Sequence, residues 1–250
     1  MSENIETIMV EFFEELELLG PADPASTSRA LASIALTSDS IVVDVGSGTG
    51  RQTLQLLQET PATVVATDLH RSMLAQLQRL ASEQGVADRL RVERADMTAL
   101  PFEPEGIDLL WCEAAVYNIG FEQGLKTWLP LLSAGGYLCV SEVAYLIDNP
   151  PDPVKKFWQA EYPAITTQSE LERVAKESGY ILRDSFCLPQ SAWESYYGPV
   201  EDRIASLEAV WNADRVRRQV LAAMRKEVEV FRRYGDTYGY VFFVLQKAAH

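Results

Sequence analysis

Histidine, cysteine and net positive charge are all scarce in this chain, and each shortage removes a class of function. From its two histidines, His70 and His250, no metal cluster and no Ser/His/Asp triad can be assembled. The three cysteines, Cys112, Cys139 and Cys187, lie far apart inside apolar, strand-like runs, so they read as reduced core residues. Lysine and arginine number 22 against 36 acids, a formal charge of −14. A nucleic-acid binder normally carries a basic footprint, so the expected partner is a small neutral or cationic molecule. No apolar run reaches membrane-spanning length, and the first residues stay acidic to Glu17, unlike a signal peptide. Stable membrane association is therefore not expected, and a cytoplasmic location is. Nothing bears on oligomeric state.

What is present is an ordinary globular chain of 250 residues, 47% hydrophobic and 23% charged, long enough for one domain with appended helices. The central stretch is Ile41-Val42-Val43-Asp44-Val45-Gly46-Ser47-Gly48-Thr49-Gly50. An Ile/Val run bounded by glycines reads as a buried parallel strand entering a tight turn. The residues after Gly50 look helical, and a strand, glycine turn and helix start form a nucleotide-type site.

Before this stretch, apolar spacing predicts a helix over 5–19, and a second is expected over 24–35. The pair is read either as packing on the sheet edge or as a lid. After it, strands are expected at 63–67, 90–94, 107–112, 137–141, 180–187 and 240–246, alternating with helices through the middle of the chain. That alternation implies an open α/β sheet with helices on both faces. The three prolines between Asp148 and Pro153 argue against regular structure there, and Asn149-Pro150-Pro151-Asp152 reads as a loop. Thr167 to Glu170 looks like a capping box, and 191–233 is helical material. On that last stretch, Glu227 and Glu229 interspersed with Arg217, Arg218, Arg225 and Lys226 read as a solvated face.

The loop spacing discriminates between cofactors. A dinucleotide fingerprint wants a small residue where Arg51 stands, so NAD is disfavoured. Asp44 sits at the strand end, poorly placed for a pyrophosphate and well placed for an ammonium group. S-adenosylmethionine carries an ammonium and a sulfonium and no phosphate. Asp68 ends the second strand, where a carboxylate takes ribose hydroxyls, with Leu69 beside it. Asp96 follows the third strand, placed for the adenine amino group, and Met97 can pack on the ring. Three acids at the carboxyl ends of successive strands form a pattern that one loop aspartate would not.

With these residues the sequence resembles class I S-adenosylmethionine-dependent methyltransferases. The match runs over Val42 to Gly50, Asp68, Asp96-Met97, Ile107 to Glu113 and Leu132 to Leu138. The likeness is greatest to the ubiquinone/menaquinone-type small-molecule group, and Tyr117 to Glu122 is similar to a stretch in uncharacterised bacterial members. The resemblance implies a Rossmann-like doubly wound sheet of seven strands, order 3-2-1-4-5-7-6, the last antiparallel. It implies a cofactor-binding core over 38–145, an N-terminal helical cap over 1–37 and a substrate-side half over 146–250. It implies a cofactor set of Asp44, Gly46, Ser47, Gly48, Gly50, Asp68, Leu69, Asp96, Met97 and Glu113, and no metal.

Methyl transfer from a sulfonium is an in-line displacement that mainly needs alignment and exclusion of water. Candidates for positioning or proton removal are Glu113, Tyr117, Asn118 and Glu142, the last read as ending the fifth strand. Trp158, Tyr162, Trp193, Tyr196 and Tyr197 are candidates for a substrate pocket or a core under helices. A small-molecule methyltransferase is the leading reading. A non-catalytic cofactor-binding sensor or partner subunit, and an NAD-dependent oxidoreductase, are the alternatives. The acceptor molecule and the acceptor atom are not legible.

Overall fold

The computed structural model describes residues 2–248, without the side chains of 2–4 and 6; His250 lies outside the described residues. Eight strands form one sheet. They are β1 (Ile41–Val45), β2 (Thr63–Asp68), β3 (Leu90–Arg94), β4 (Ile107–Cys112), β5 (Leu132–Tyr145), β6 (Thr166–Thr167), β7 (Tyr180–Cys187) and β8 (Tyr238–Lys247). The order along the sheet is β3-β2-β1-β4-β5-β8-β7. The pairs from β3 to β5 are parallel, and β8 runs antiparallel between β5 and β7. This is the expected seven-strand order with the late strands renumbered, because the two-residue β6 adds beside the far end of β5.

Side-chain alternation explains why both faces are covered. Val42, Leu109, Trp111 and Phe242 point into one apolar cluster; Val43, Leu110, Cys112 and Phe243 point into the other. Successive strand residues face opposite ways, so a strand buried on both faces reads as a continuous apolar run. Each such side chain, fully buried, contributes about 1.5–3 kcal/mol.

Nine helices among the described residues flank the sheet: α1 (Ser2–Phe13), α2 (Pro24–Leu31), α3 (Arg51–Glu59), α4 (Arg71–Glu83), α5 (Phe121–Trp128), α6 (Asp152–Glu161), α7 (Gln168–Glu177), α8 (Gln190–Trp211) and α9 (Arg215–Tyr234). None is long and apolar enough to cross a membrane. α2 starts at an Asp23 cap whose carboxylate accepts from Ser26 N at 2.8 Å, with Pro24 just inside. α7 is capped by Thr167 as the sequence pattern anticipates.

Several boundaries differ from expectation. α1 stops at Phe13, and Leu16 and Leu18 are buried from the loop that follows, so the apolar spacing beyond the helix records tertiary contact. α2 stops at Leu31. β5 is much longer than 137–141, because β8 pairs with it from Tyr137 to Tyr145. A helix begins at Asp152 inside the proline cluster: Pro151 is its N-cap and Pro153 lies in its first turn, where a missing N–H costs nothing. The late helical stretch is two helices, divided at Asp214, whose carboxylate caps α9 through Val216 N and Arg217 N. Cys112 and Cys139 are core residues as expected, but Cys187 is exposed at the end of an edge strand.

Candidate functional site

The carboxyl ends of β1 to β5 open onto one cavity of about 770 Å³. Its first end is made by the turns after β1, β2, β3 and β4. Gly46, Gly48, Thr67 to His70, Met73, Ala95 to Thr98, Ala114 and Ala115 line it. The Gly48 backbone is left-handed, φ 53°, and a Cβ there would stand 2.6 Å from Leu19 Cδ1. Only glycine fits between that leucine and the cavity.

Asp68 organises this end. Its Oδ2 accepts from Gly48 N at 2.9 Å and its Oδ1 from His70 N at 2.8 Å. The carboxylate thus fixes the β1 loop and the start of α4 while facing the cavity. Asp96, one strand further, accepts from Thr98 N at 2.8 Å and Thr98 Oγ1 at 2.7 Å, which holds its carboxyl below the ordinary range. Met97 lines the same wall, and its carbonyl accepts from Trp128 Nε1 at 2.8 Å.

Two expected cofactor residues lie elsewhere. Asp44 is 2% exposed beneath the loop and lines neither this cavity nor its neighbour; Thr53 Oγ1 donates to it at 2.5 Å. Burial pushes its carboxyl up to about 7, the Thr53 bond opposing. It points from the same strand face as Val42, toward α3 rather than outward. Gly50 is the N-cap of α3, and a Cβ there would meet Leu77 Cδ1 at 2.2 Å, so its demand is helix packing.

A smaller cavity of about 50 Å³ adjoins the glycine turn, bounded by Glu17 to Gly20, Gly46 to Thr49, Gln52, Glu113 and Ala114. Two buried oxygens here have no hydrogen-bond partner, Ser47 Oγ and Glu113 Oε1. The other Glu113 oxygen accepts from Trp111 Nε1 at 3.3 Å, and burial pushes this carboxyl up to about 8. Beside it, Ala114 takes a left-handed backbone, φ 52°, with its N–H donated to Ser141 Oγ at 2.8 Å. A non-glycine residue held there stores of order 1–3 kcal/mol of strain, a pattern concentrated at functional sites.

The second end of the large cavity is walled by segments far apart in sequence. Tyr117 and Asn118 follow β4; Phe157, Trp158, Glu161 and Tyr162 come from α6 and its end; Trp193 and Tyr196 from α8; Met224 and Glu227 from α9; Tyr240 from β8. Met9, Val10 and Phe13 of α1 close one side. α1 itself is pinned to the late helices rather than to the sheet edge, through Phe12 on Trp211 and the Glu11–Arg217 ion pair at 2.6 Å. Of the aromatics singled out in the sequence, Tyr197 alone is not in the wall; its Oη donates to Glu227 Oε1 at 3.0 Å.

Glu142 does not end its strand. It sits within β5 opposite Val241, 1% exposed, and accepts from Tyr162 Oη at 3.2 Å and Val143 N at 2.8 Å. Burial pushes its carboxyl up to about 8 and raises the Tyr162 phenol. It reaches the cavity only through Tyr162. Tyr117 packs edge-on against that same ring, centroids 6.2 Å apart, and Asn118 Nδ2 donates to Ala115 O at 2.9 Å. Glu227, read from sequence as part of a solvated face, is instead a cavity residue pushed up to about 7 by burial. It lies three positions after Met224 and so shares the inward stripe of α9. Among the described residues, no group of three His, Cys, Asp or Glu is placed to hold a metal ion.

Comparison with known proteins agrees with this geometry. Residues 42–136 match the family model described as a methyltransferase domain. The chain is 24% identical over 51% of its length to the methyltransferase GfsG of Streptomyces halstedii, covering 46% of that protein. It is 30% identical over 52% of its length to the demethylmenaquinone methyltransferase of Lactiplantibacillus plantarum, covering 55% of that protein. It thus spans about half the length of these two curated relatives. In fold it is similar to a SAM-dependent methyltransferase from Geobacter sulfurreducens solved with S-adenosyl-L-homocysteine: TM-score 0.84, 19% identity, 97% of this chain and 98% of that one. The glycine turn, Asp68 and Asp96 thus all fall within residues 42–136, the part of the chain that matches the methyltransferase domain.

Proposed function

We propose that the chain transfers a methyl group from S-adenosylmethionine to a small-molecule acceptor. One observation carries the reading: the cavity at the strand ends is continuous from the glycine turn to an aromatic chamber. The residues present fit the cofactor. Buried, unpartnered Ser47 Oγ and Glu113 Oε1 beside the glycine turn suit a polar amino-acid tail. Gly48 lets the turn run close under Leu19 along the cavity, and Asp68 and Asp96 offer acceptors to ribose and adenine. When bound, the sulfonium supplies a methyl group already activated for displacement.

The chain's own part is then alignment. Tyr117 and Tyr162, packed edge-on in the cavity wall, orient the acceptor, while α1 and α6 exclude water. Glu142 accepts from Tyr162 Oη and so holds that ring in the wall. The chamber is enclosed by α1, α6, α8 and α9, a shape that suits a compact molecule better than a protein or nucleic-acid chain. The test is transfer of labelled methyl from S-adenosylmethionine into a cell extract, followed by ultrafiltration. Label in the low-molecular-mass filtrate is the expected result. Label in the retained protein or nucleic acid contradicts a small-molecule acceptor.

A further inference from the structure

The acceptor end of the cavity is aromatic and acidic at once. Tyr117, Trp158, Tyr162, Trp193, Tyr196 and Tyr240 supply rings, and Glu161 and Glu227 supply carboxylates. No lysine or arginine is among the described residues that line the cavity. Tyr197 holds the Glu227 carboxylate in place from behind. Glu161 lines the same cavity, so the two acids face a shared space. A half-buried carboxylate such as Glu227 inside an aromatic wall is costly unless a cation arrives to offset it. Ring faces attract the same cation through their quadrupoles. An anionic acceptor finds no cationic side chain among these lining residues and two acids in its way.

We propose that the acceptor is an organic amine, bound as a cation by Glu227 and Glu161 among these rings, with its apolar body on the aromatic wall. The proposal rests on the methyl-transfer reading and specifies its substrate class. Transfer also fits the charge. A primary or secondary ammonium gives one proton to the Glu227 carboxylate. The freed nitrogen lone pair forms the new C–N bond as the C–S bond breaks, and that bond's electron pair stays on sulfur. Positive charge leaves sulfur and appears on nitrogen, beside the remaining Glu161 carboxylate, so that attraction grows toward the transition state. A tertiary amine needs no proton step.

The experiment measures binding to the full chain saturated with S-adenosylhomocysteine, by calorimetry and by tryptophan fluorescence, since Trp158 and Trp193 line the site. The probes are 2-phenylethylamine, its neutral isostere 2-phenylethanol and the anion 3-phenylpropanoate, at neutral pH. The amine is expected to bind about tenfold more tightly than the alcohol, with the acid weakest. Glu227→Gln keeps the acceptor for Tyr197 and should remove about tenfold of the amine's affinity. It should leave the alcohol and S-adenosylhomocysteine unchanged. Glu161→Gln, at an exposed position, should act in the same direction with a smaller loss. Equal binding of amine and alcohol, preference for the acid, no amine binding to the loaded protein, or indifference to both substitutions overturns the proposal. Failure of the wild type to bind S-adenosylhomocysteine overturns the methyl-transfer reading instead.

Discussion

The two ends of the cavity are built by opposite rules. At the glycine-turn end, carboxylates are tied to backbone N–H groups: Asp68 to Gly48 and His70, Asp96 to Thr98. Such bonds fix both carboxylates in place, and those from Thr98 hold the Asp96 carboxyl below its ordinary range. At the aromatic end, Glu142 is buried and Glu227 half-buried, each against a phenol, and desolvation holds both toward the protonated form. One end presents carboxylates tied to a rigid frame of strand ends. The other presents carboxylates whose charge depends on what lies beside them. A site that keeps a constant ligand and a chemically changing one has use for both.

The comparison can be broken most severely at Trp193. It is buried against Tyr197, Phe231, Tyr238 and Tyr240, so the acceptor wall is also the core between α8, α9 and β8. Trp193→Ala should cost about 3–5 kcal/mol in urea unfolding, as deletion of a large core side chain does. A cost below about 1 kcal/mol would show the wall to be separable from the core.

The second prediction is smaller and concerns pH. Glu142 is pushed up from its ordinary 4.5 to about 8 in the folded chain. Between those values the folded state holds a proton that the unfolded state has lost, so stability falls as pH rises from about 4.5 to about 8. Each such group contributes a slope of at most about 1.4 kcal/mol per pH unit. Glu113 and the less strongly shifted Asp44 and Glu227 act with the same sign. Urea unfolding of Glu142→Gln across this range should show a shallower fall than the wild type. An unchanged slope would mean that Glu142 is ionised in the folded protein.

The same contrast decides what the sequence revealed. The glycine-turn end is local: an Ile/Val strand, a turn and a helix start within 41–59, then one acid after each later strand. Pattern and position coincide there, so Asp68, Asp96 and Met97 were legible as wall residues. Asp44 was misplaced because a strand-end acid can point to either face, and only the packing of α3 decides it. The acceptor end joins residues 117, 158, 193, 227 and 240, which meet only because β8 inserts between β5 and β7. No spacing rule brings these together. Glu227 sat among basic neighbours whose side chains do face outward, as Arg225 does toward Glu208. The helix at Asp152 was hidden because prolines that forbid a helix interior are welcome in its first turn.

Asp68, which accepts from Gly48 N at 2.9 Å, is the residue proposed to join the glycine turn to the cofactor. Isothermal titration of S-adenosylhomocysteine into the wild type and Asp68→Ala tests it most directly. The wild type should bind one equivalent, and the variant should bind about ten- to hundredfold more weakly, a loss of roughly 1.5–3 kcal/mol. Equal affinity in the two proteins would contradict the claim and move the cofactor away from the strand ends.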